Sequence, residues 1–194
     1  MLGLLFALLS AAPIQLSVAP GSKIFIEGDS SVHAWKCEAT KFDGAGEATS
    51  SDQVPGSVSV FELGIPIKDI RCGNDSMDGN LREALKADKF PRVDFTFTSA
   101  ALLPGEATGP QKFKLSGTLS VAGVEKPITT VITVSSAPGN VFTATALVPL
   151  KMTGFGIGPP TAMLGIMKTA DAISIRIALK VLAQFAVPAP HASK

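Results

Sequence analysis

The 194-residue chain holds two histidines, two cysteines and sixteen carboxylates. Catalysis needs several titratable groups converging on one point, and the spacing here offers little of that. His33 lies inside the patterned part of the chain, in Ser31-Val32-His33-Ala34-Trp35, whereas His191 sits in the tail. A serine–histidine–aspartate arrangement would have to use His33, and no Gly-x-Ser-x-Gly segment accompanies it. A strand histidine held by hydrogen bonds is the simpler reading. One histidine without a Cys/His cluster does not close a zinc site, so neither metal nor cofactor is expected. Gly154-Phe155-Gly156-Ile157-Gly158 has the look of a phosphate loop, but Pro159-Pro160 follow, and no helix N-terminus starts there to hold a phosphate. Asn74-Asp75-Ser76-Met77-Asp78-Gly79 matches the first half of a calcium loop, yet Leu85 stands where the bidentate glutamate belongs. A helix start, capped by Asp75 or Ser76, accounts for it better. No enzyme activity is therefore expected, and a hydrolase or isomerase using His33 is the weakest of the function classes in play.

The charge balance is +1, with 17% charged and 46% hydrophobic residues. Such a chain lacks the basic face a nucleic acid needs and is too apolar for intrinsic disorder. Met1 to Ala12 (MLGLLFALLSAA) is an uncharged apolar run, too short to span a bilayer, that fits the hydrophobic region of a secretory leader. The expected organisation is a leader over 1–20, one domain over 21–186 and a loose Pro/Ala-rich tail over 187–194. Removal of the leader is expected between Ala11 and Ser22; a hydrophobic first strand of the fold is the competing reading. Export makes periplasmic or extracellular residence the expectation, with no integral membrane span. In that setting Cys37 and Cys72 read as a structural disulfide, against two separate buried thiols. The bond would close 35 residues and stabilise by roughly 3–4 kcal/mol.

Period-two alternation dominates what lies between leader and tail. Over 111–121 Phe113, Leu115, Leu119 and Val121 oppose lysines and serines; Phe142, Ala144, Ala146, Val148 and Leu150 share a face further on. Ile173, Ile175, Ile177 and Leu179 oppose Ser174, Arg176 and Lys180, and Phe95 and Phe97 oppose Asp94 and Thr96. Earlier strands are expected at about 22–28, 31–42 and 56–63, and another at about 127–135, with turns at 47–56, 103–110, 137–140 and 154–160. One helix interrupts them, with Met77, Leu81, Ala84 and Leu85 on one stripe and Pro91 as its limit. Half-polar strands mean an antiparallel sheet wetted on one side. Trp35 precedes both cysteines and there is no tyrosine, which is wrong for an immunoglobulin-type sandwich. The fold class is all-β, an antiparallel barrel of about eight strands with one short helix inserted.

Three segments, in this order, resemble the YceI-like family of exported, lipocalin-like proteins that bind polyisoprenoids. They are Asp29-Ser30-Ser31-Val32-His33-Ala34-Trp35; Met77 to Pro91 followed by Val93-Asp94-Phe95, with Lys89-Phe90-Pro91 at its end; and Gly117 to Ile128, with Gly123, Lys126 and Pro127 at the family's spacing. Phe155-Gly156-Ile157 with Pro159 to Gly165 extends the match, so that it covers about 24–182. The resemblance implies an elongated lipocalin-like β-barrel around an apolar tunnel, holding an isoprenoid or other long-chain lipid, with a quinone among the candidate head groups. Strand phase puts Phe95, Phe97, Leu119, Val121, Phe142, Ile175 and Ile177 on inward faces; Phe155, Ile157, Met163, Leu164 and Met167 follow a Gly-rich segment suited to a flap over the mouth. The same alternation would also build a filled core, leaving an adhesion or interaction module as the alternative. A homodimer is left open.

Overall fold

The computed structural model describes residues 13–51, 54–105, 108–162 and 167–185. The strands are β1 (Ile14–Val18), β2 (Lys23–Ser30), β3 (Ala34–Ala39), β4 (Asp43–Ser51), β5 (Val54–Pro66), β6 (Ile70–Arg71), β7 (Arg92–Leu102), β8 (Gln111–Val121), β9 (Val124–Ala137), β10 (Val141–Lys151), β11 (Thr161–Ala162) and β12 (Met167–Gln184). Helix α1 (Asp75–Ala84) lies between β6 and β7, and two 3-10 turns, η1 (Ile67–Asp69) and η2 (Met152–Phe155), follow β5 and β10. All pairings are antiparallel. The path runs β1-β4-β5-β7-β8-β9-β10-β12, and β12 returns to β1, so these eight strands close a barrel. The 18 residues of β12 serve two neighbours in succession: β1 through Val18↔Val181 to Gln15↔Gln184, and β2 through Lys23↔Ala178 to Thr169↔Ser30. β2 carries β3 and β6 beyond it as an extension of one end of the wall.

Strands over 92–102, 111–121, 141–151 and 167–184 follow the alternation read from the residues, because each offers branched or aromatic side chains to the interior and Ser, Thr, Lys or Arg to water. The β8–β9 hairpin turns through Ala122 and Gly123, at φ 51° and 81°. Two positive φ values are the signature of a type I′ turn, whose twist matches that of the flanking strands.

Three elements depart from expectation. Residues 47–56 look like a turn by composition, yet β4 runs through Asp43–Ser51 and β5 starts at Val54. The reason is close packing across the sheet: a Cβ at Gly46 would run into the Val60 carbonyl and the Phe61 ring, so glycine in this strand makes room for an aromatic neighbour. β1 lies inside the segment read as a leader. It seals the barrel, and Ile14 is 1% exposed. The helix begins one or two residues earlier than a cap at Asp75 or Ser76 implies. Asn74 is its cap, accepting from the Met77 backbone N–H at 2.9 Å, which satisfies one of the free amides of the first turn. Ser76 and Asp75 lie inside the helix, which stops at Ala84, ahead of Pro91, as Lys86 turns left-handed at φ 53°.

Among the described residues the buried side chains form three separate clusters instead of one core. One joins Ile24, Cys37, Leu63, Ile65, Ile70, Cys72 and Leu179, with Met77, Leu81 and Leu85 of α1 against it. A second seals the opposite end with Ile14, Leu16, Ala48 and Ala183. A third gathers Ala122, Met152, Phe155 and Ile157 beneath the β8–β9 turn. The middle of the barrel belongs to none of them.

Candidate functional site: an apolar cavity

The space between the clusters is a cavity of about 1180 Å³. Its wall runs from Leu16, Ala48 and Leu102 at one end, through Phe95, Leu115, Ile132, Phe142 and Ile175, to Trp35, His33 and α1 at the other. Eight strands give an interior that side chains alone can fill. Here the wall keeps Ala48, Ala144 and Ala146 where larger residues would close the gap. At Gly117, also inside, a Cβ would strike the Phe95 ring; the glycine lets that ring lie flat along the wall. Large and vanishing side chains on facing strands thus leave a lumen.

The residues singled out from strand phase fall as follows. Phe95, Phe97, Leu119, Val121, Phe142, Ile175 and Ile177 all lie on the cavity wall. Phe155 and Ile157 also line it, but as buried members of the third cluster, 5% and 6% exposed. They form a fixed floor beside η2, where a flap was expected. Met163 and Leu164 lie outside the described residues. Met167 opens β12, paired with Ala162. Sequence reasoning did not point to Trp35, Phe61, Phe113 or the α1 residues Met77 and Leu81 as wall. For α1, the stripe of Met77, Leu81 and Leu85 was the available signal.

Cys37 and Cys72 form a disulfide, and both line the cavity. The bond ties β3 to the segment leading into α1. Asp78, 4% exposed, reinforces the same corner: its Oδ1 accepts from the Cys72 backbone N–H at 2.6 Å, and Arg71 lies 3.6 Å from Oδ2. A buried carboxylate needs such partners. His33 is exposed, its Nδ1 2.9 Å from the Ala34 carbonyl oxygen. A carbonyl only accepts, so Nδ1 carries the proton and the ring is held, as read, by a hydrogen bond. Among the described residues no group of three or more His, Cys, Asp or Glu side chains is arranged to hold a metal. No helix among them is long and apolar enough to cross a membrane.

On the outer surface Arg176 donates to both carboxylate oxygens of Glu27, at 3.0–3.3 Å, while Lys36 lies 3.4 Å from Glu27. The Arg176 hydrogen bonds hold the Glu27 carboxyl below the usual range. At the floor, Asp171 accepts from the Thr153 backbone N–H and from Thr153 Oγ1, both at 2.8 Å. Those bonds, the backbone one first, hold its carboxyl below the ordinary aspartate value. A depressed carboxylate adds stability that is present above its unfolded value and lost as pH falls through the folded one. Acidification below the ordinary aspartate range is therefore expected to release η2. Protection of the Thr153 amide in hydrogen exchange, corrected for intrinsic rates, should fall over that window. In Asp171→Asn it should be low throughout; protection independent of pH in the parent would remove Asp171 from this role.

A closed eight-stranded antiparallel barrel, braced by one helix and built around an apolar lumen, defines the lipocalin-like class of β-barrels. The chain belongs to the family of the YceI-like domain, whose model matches residues 21–181. Solved structures share the fold at low identity. BcnA of Burkholderia cenocepacia aligns with a TM-score of 0.67 at 18% identity, over 84% of this chain and 98% of its own. A polyisoprenoid-binding domain from Saccharophagus degradans, implicated in plant cell wall breakdown, gives 0.66 at 14% identity, over 89% and 99%. The YceI protein of Campylobacter jejuni gives 0.59 at 20%, over 74% and 82%. None of the curated proteins matches the chain.

Proposed function

We propose that the protein binds an amphiphilic isoprenoid or other long-chain lipid inside its barrel and carries or stores it without chemical change. The cavity carries this reading. At about 1180 Å³ it exceeds the roughly 300–1,000 Å³ of pockets for compact small molecules. Its length and apolar wall suit a chain. Each ligand methylene buried there contributes about 0.8 kcal/mol, so a dozen would offset the cost of association, about 4–15 kcal/mol, with little help from polar contacts. The Saccharophagus degradans domain, described as polyisoprenoid-binding, supports an isoprenoid as the ligand. Phe95, Phe97, Leu119, Val121, Phe142, Ile175 and Ile177 are the side chains proposed to touch the ligand's chain. The test is organic extraction of the protein purified from an exporting host, followed by mass spectrometry. A long-chain lipid at near-stoichiometric yield is the expected result. A lipid-free extract, together with failure to take up an added long-chain probe, overturns the proposal.

Export belongs to the same reading, supported by the family and by the disulfide. β1 constrains where a leader ends. A cut after Ala19 would discard Ile14–Val18 and bare the edges of β4 and β12, which invites aggregation. The mature chain is therefore expected to start no later than Pro13. Intact mass of the exported protein checks this; a mature chain starting at Pro20 or beyond would contradict it.

A further inference from the structure

We infer that the ligand lies in the cavity in one orientation, its head group at the mouth between the β2–β3 turn and the start of β12, and that this mouth selects an anionic head, a carboxylate or a phosphate. The inference rests on the lipid reading above and adds the head group to it.

The charged side chains of the wall are unevenly placed, although uncharged polar groups occur at both ends, Ser57, Gln111 and Ser136 lying toward Leu102. Ser30 and His33 on the β2–β3 turn, Asn74 and Asn80 of α1, and Thr161 and Lys168 of β11 and β12 gather at one end. Backbone bonds hold that end together: the Ser31 N–H donates to the Lys168 carbonyl at 2.9 Å, and the Lys168 N–H donates to Ser31 Oγ at 3.1 Å. Lys168 is thereby fixed beside the turn that bears His33. The opposite mouth, at Leu102, Ser57, Gln111 and Ser136, has no charged side chain among the described residues of its lining. A tail lies comfortably against that end, and a charged head does not.

The sign of the charge is equally one-sided. Among the described residues, the titratable groups on the wall are His33, Lys151 and Lys168, and no carboxylate joins them. The charge of Lys151 is shared with Asp171, whose carboxyl it helps to hold low. Lys168 enters no ion pair among the described residues. Its ammonium is the cation at this mouth left to meet a ligand. An ammonium facing an anionic oxygen in a partly solvated mouth contributes up to about 1 kcal/mol, a preference of about fivefold over an uncharged head.

Trp35 is the single tryptophan of the chain and lines the cavity two residues from His33. Its emission therefore reports which end of a ligand arrives there. Palmitate brominated next to the carboxylate is expected to quench Trp35 strongly, and palmitate brominated at its methyl end weakly. Palmitate should bind about fivefold more tightly than hexadecanol, and Lys168→Gln should bring that ratio to about one. Hexadecyl phosphate, run beside palmitate, ranks the two anionic heads; a preference for either over hexadecanol supports the inference. Equal affinity for palmitate and hexadecanol in the parent, or quenching mainly from the methyl end, overturns it and leaves the lipid reading standing. Failure of every one of these chains to bind overturns it, and together with a lipid-free extract overturns the lipid reading as well.

Discussion

Ala146→Trp should fold into the same barrel and lose at least tenfold in affinity for a long-chain ligand, with little change in melting temperature. Ala146 sits midway along β10, paired with Ile132 of β9 and Ile177 of β12, and all three residues line the cavity. An indole placed there projects into the lumen at its waist and blocks a chain from passing between the ends. In a hollow barrel the ring occupies space that held no protein atoms, so little strain arises. In a filled interior the same ring would force its neighbours aside, at about 1–3 kcal/mol or more. Calorimetry and ligand titration of one variant thus separate a lumen from a packed core. Unchanged ligand affinity in a well-folded Ala146→Trp protein would place the ligand elsewhere. Val121 is a poorer place for this test, because it also packs against Ala122, Met152, Phe155 and Ile157, where added bulk strains the floor whether or not the waist is open.

The second large effect is expected from the cystine. Replacing both Cys37 and Cys72 by alanine removes a crosslink across 35 residues of sequence. The chain-entropy relation gives about 4 kcal/mol for a loop of that length. In a domain of this size each kcal/mol moves the midpoint by roughly 2–4 °C, so the double variant should melt about 8–16 °C below the parent. The parent treated with a strong reductant should approach the same value. The loss falls on one corner: β3, the segment before α1 and the Asp78 carboxylate bonded to Cys72. Hydrogen exchange should accordingly rise first in Asp75–Ala84 and Ile70–Arg71. A shift under about 2 °C would show that packing at this corner holds without the bond.

Much of this was legible in the chain, for identifiable reasons. The strands around Leu119, Phe142 and Ile175 announce themselves because each alternates large apolar and polar side chains, and the structure keeps that phase throughout. The cysteine pair was readable from number and setting. β4 was not, since Asp43-Gly44-Ala45-Gly46 has the composition of a loop; its strand character depends on Phe61, fifteen residues on, filling the space a side chain at Gly46 would take. β1 was hidden inside a run whose apolarity serves a leader equally well. The lumen itself leaves no trace in alternation. It arises from the Phe95 ring lying over the absent side chain of Gly117, from Ala144 standing between Val134 and Leu179, and from Ala146 standing between Ile132 and Ile177, relations between strands that no single strand's pattern contains. The polar mouth went unseen for a similar reason: His33 and Lys168 are 135 positions apart and meet only because β12 reaches back to the β2–β3 turn.

That reach has a kinetic side. Gln15 pairs with Gln184 and Val18 with Val181, so the seam of the barrel joins nearly the first stave to the last. The six strands between them pair in chain order, by hairpins except where β6 and α1 come between β5 and β7, but the hoop stays open until the C-terminal segment has been made. Contacts of such long span are slow to form, and while they are missing both β1 and β10 offer bare edges to other chains. A growing chain therefore passes through a stage in which its future lumen is a trough, open along its whole length. A lipid laid in that trough would be enclosed sideways, without threading through either mouth.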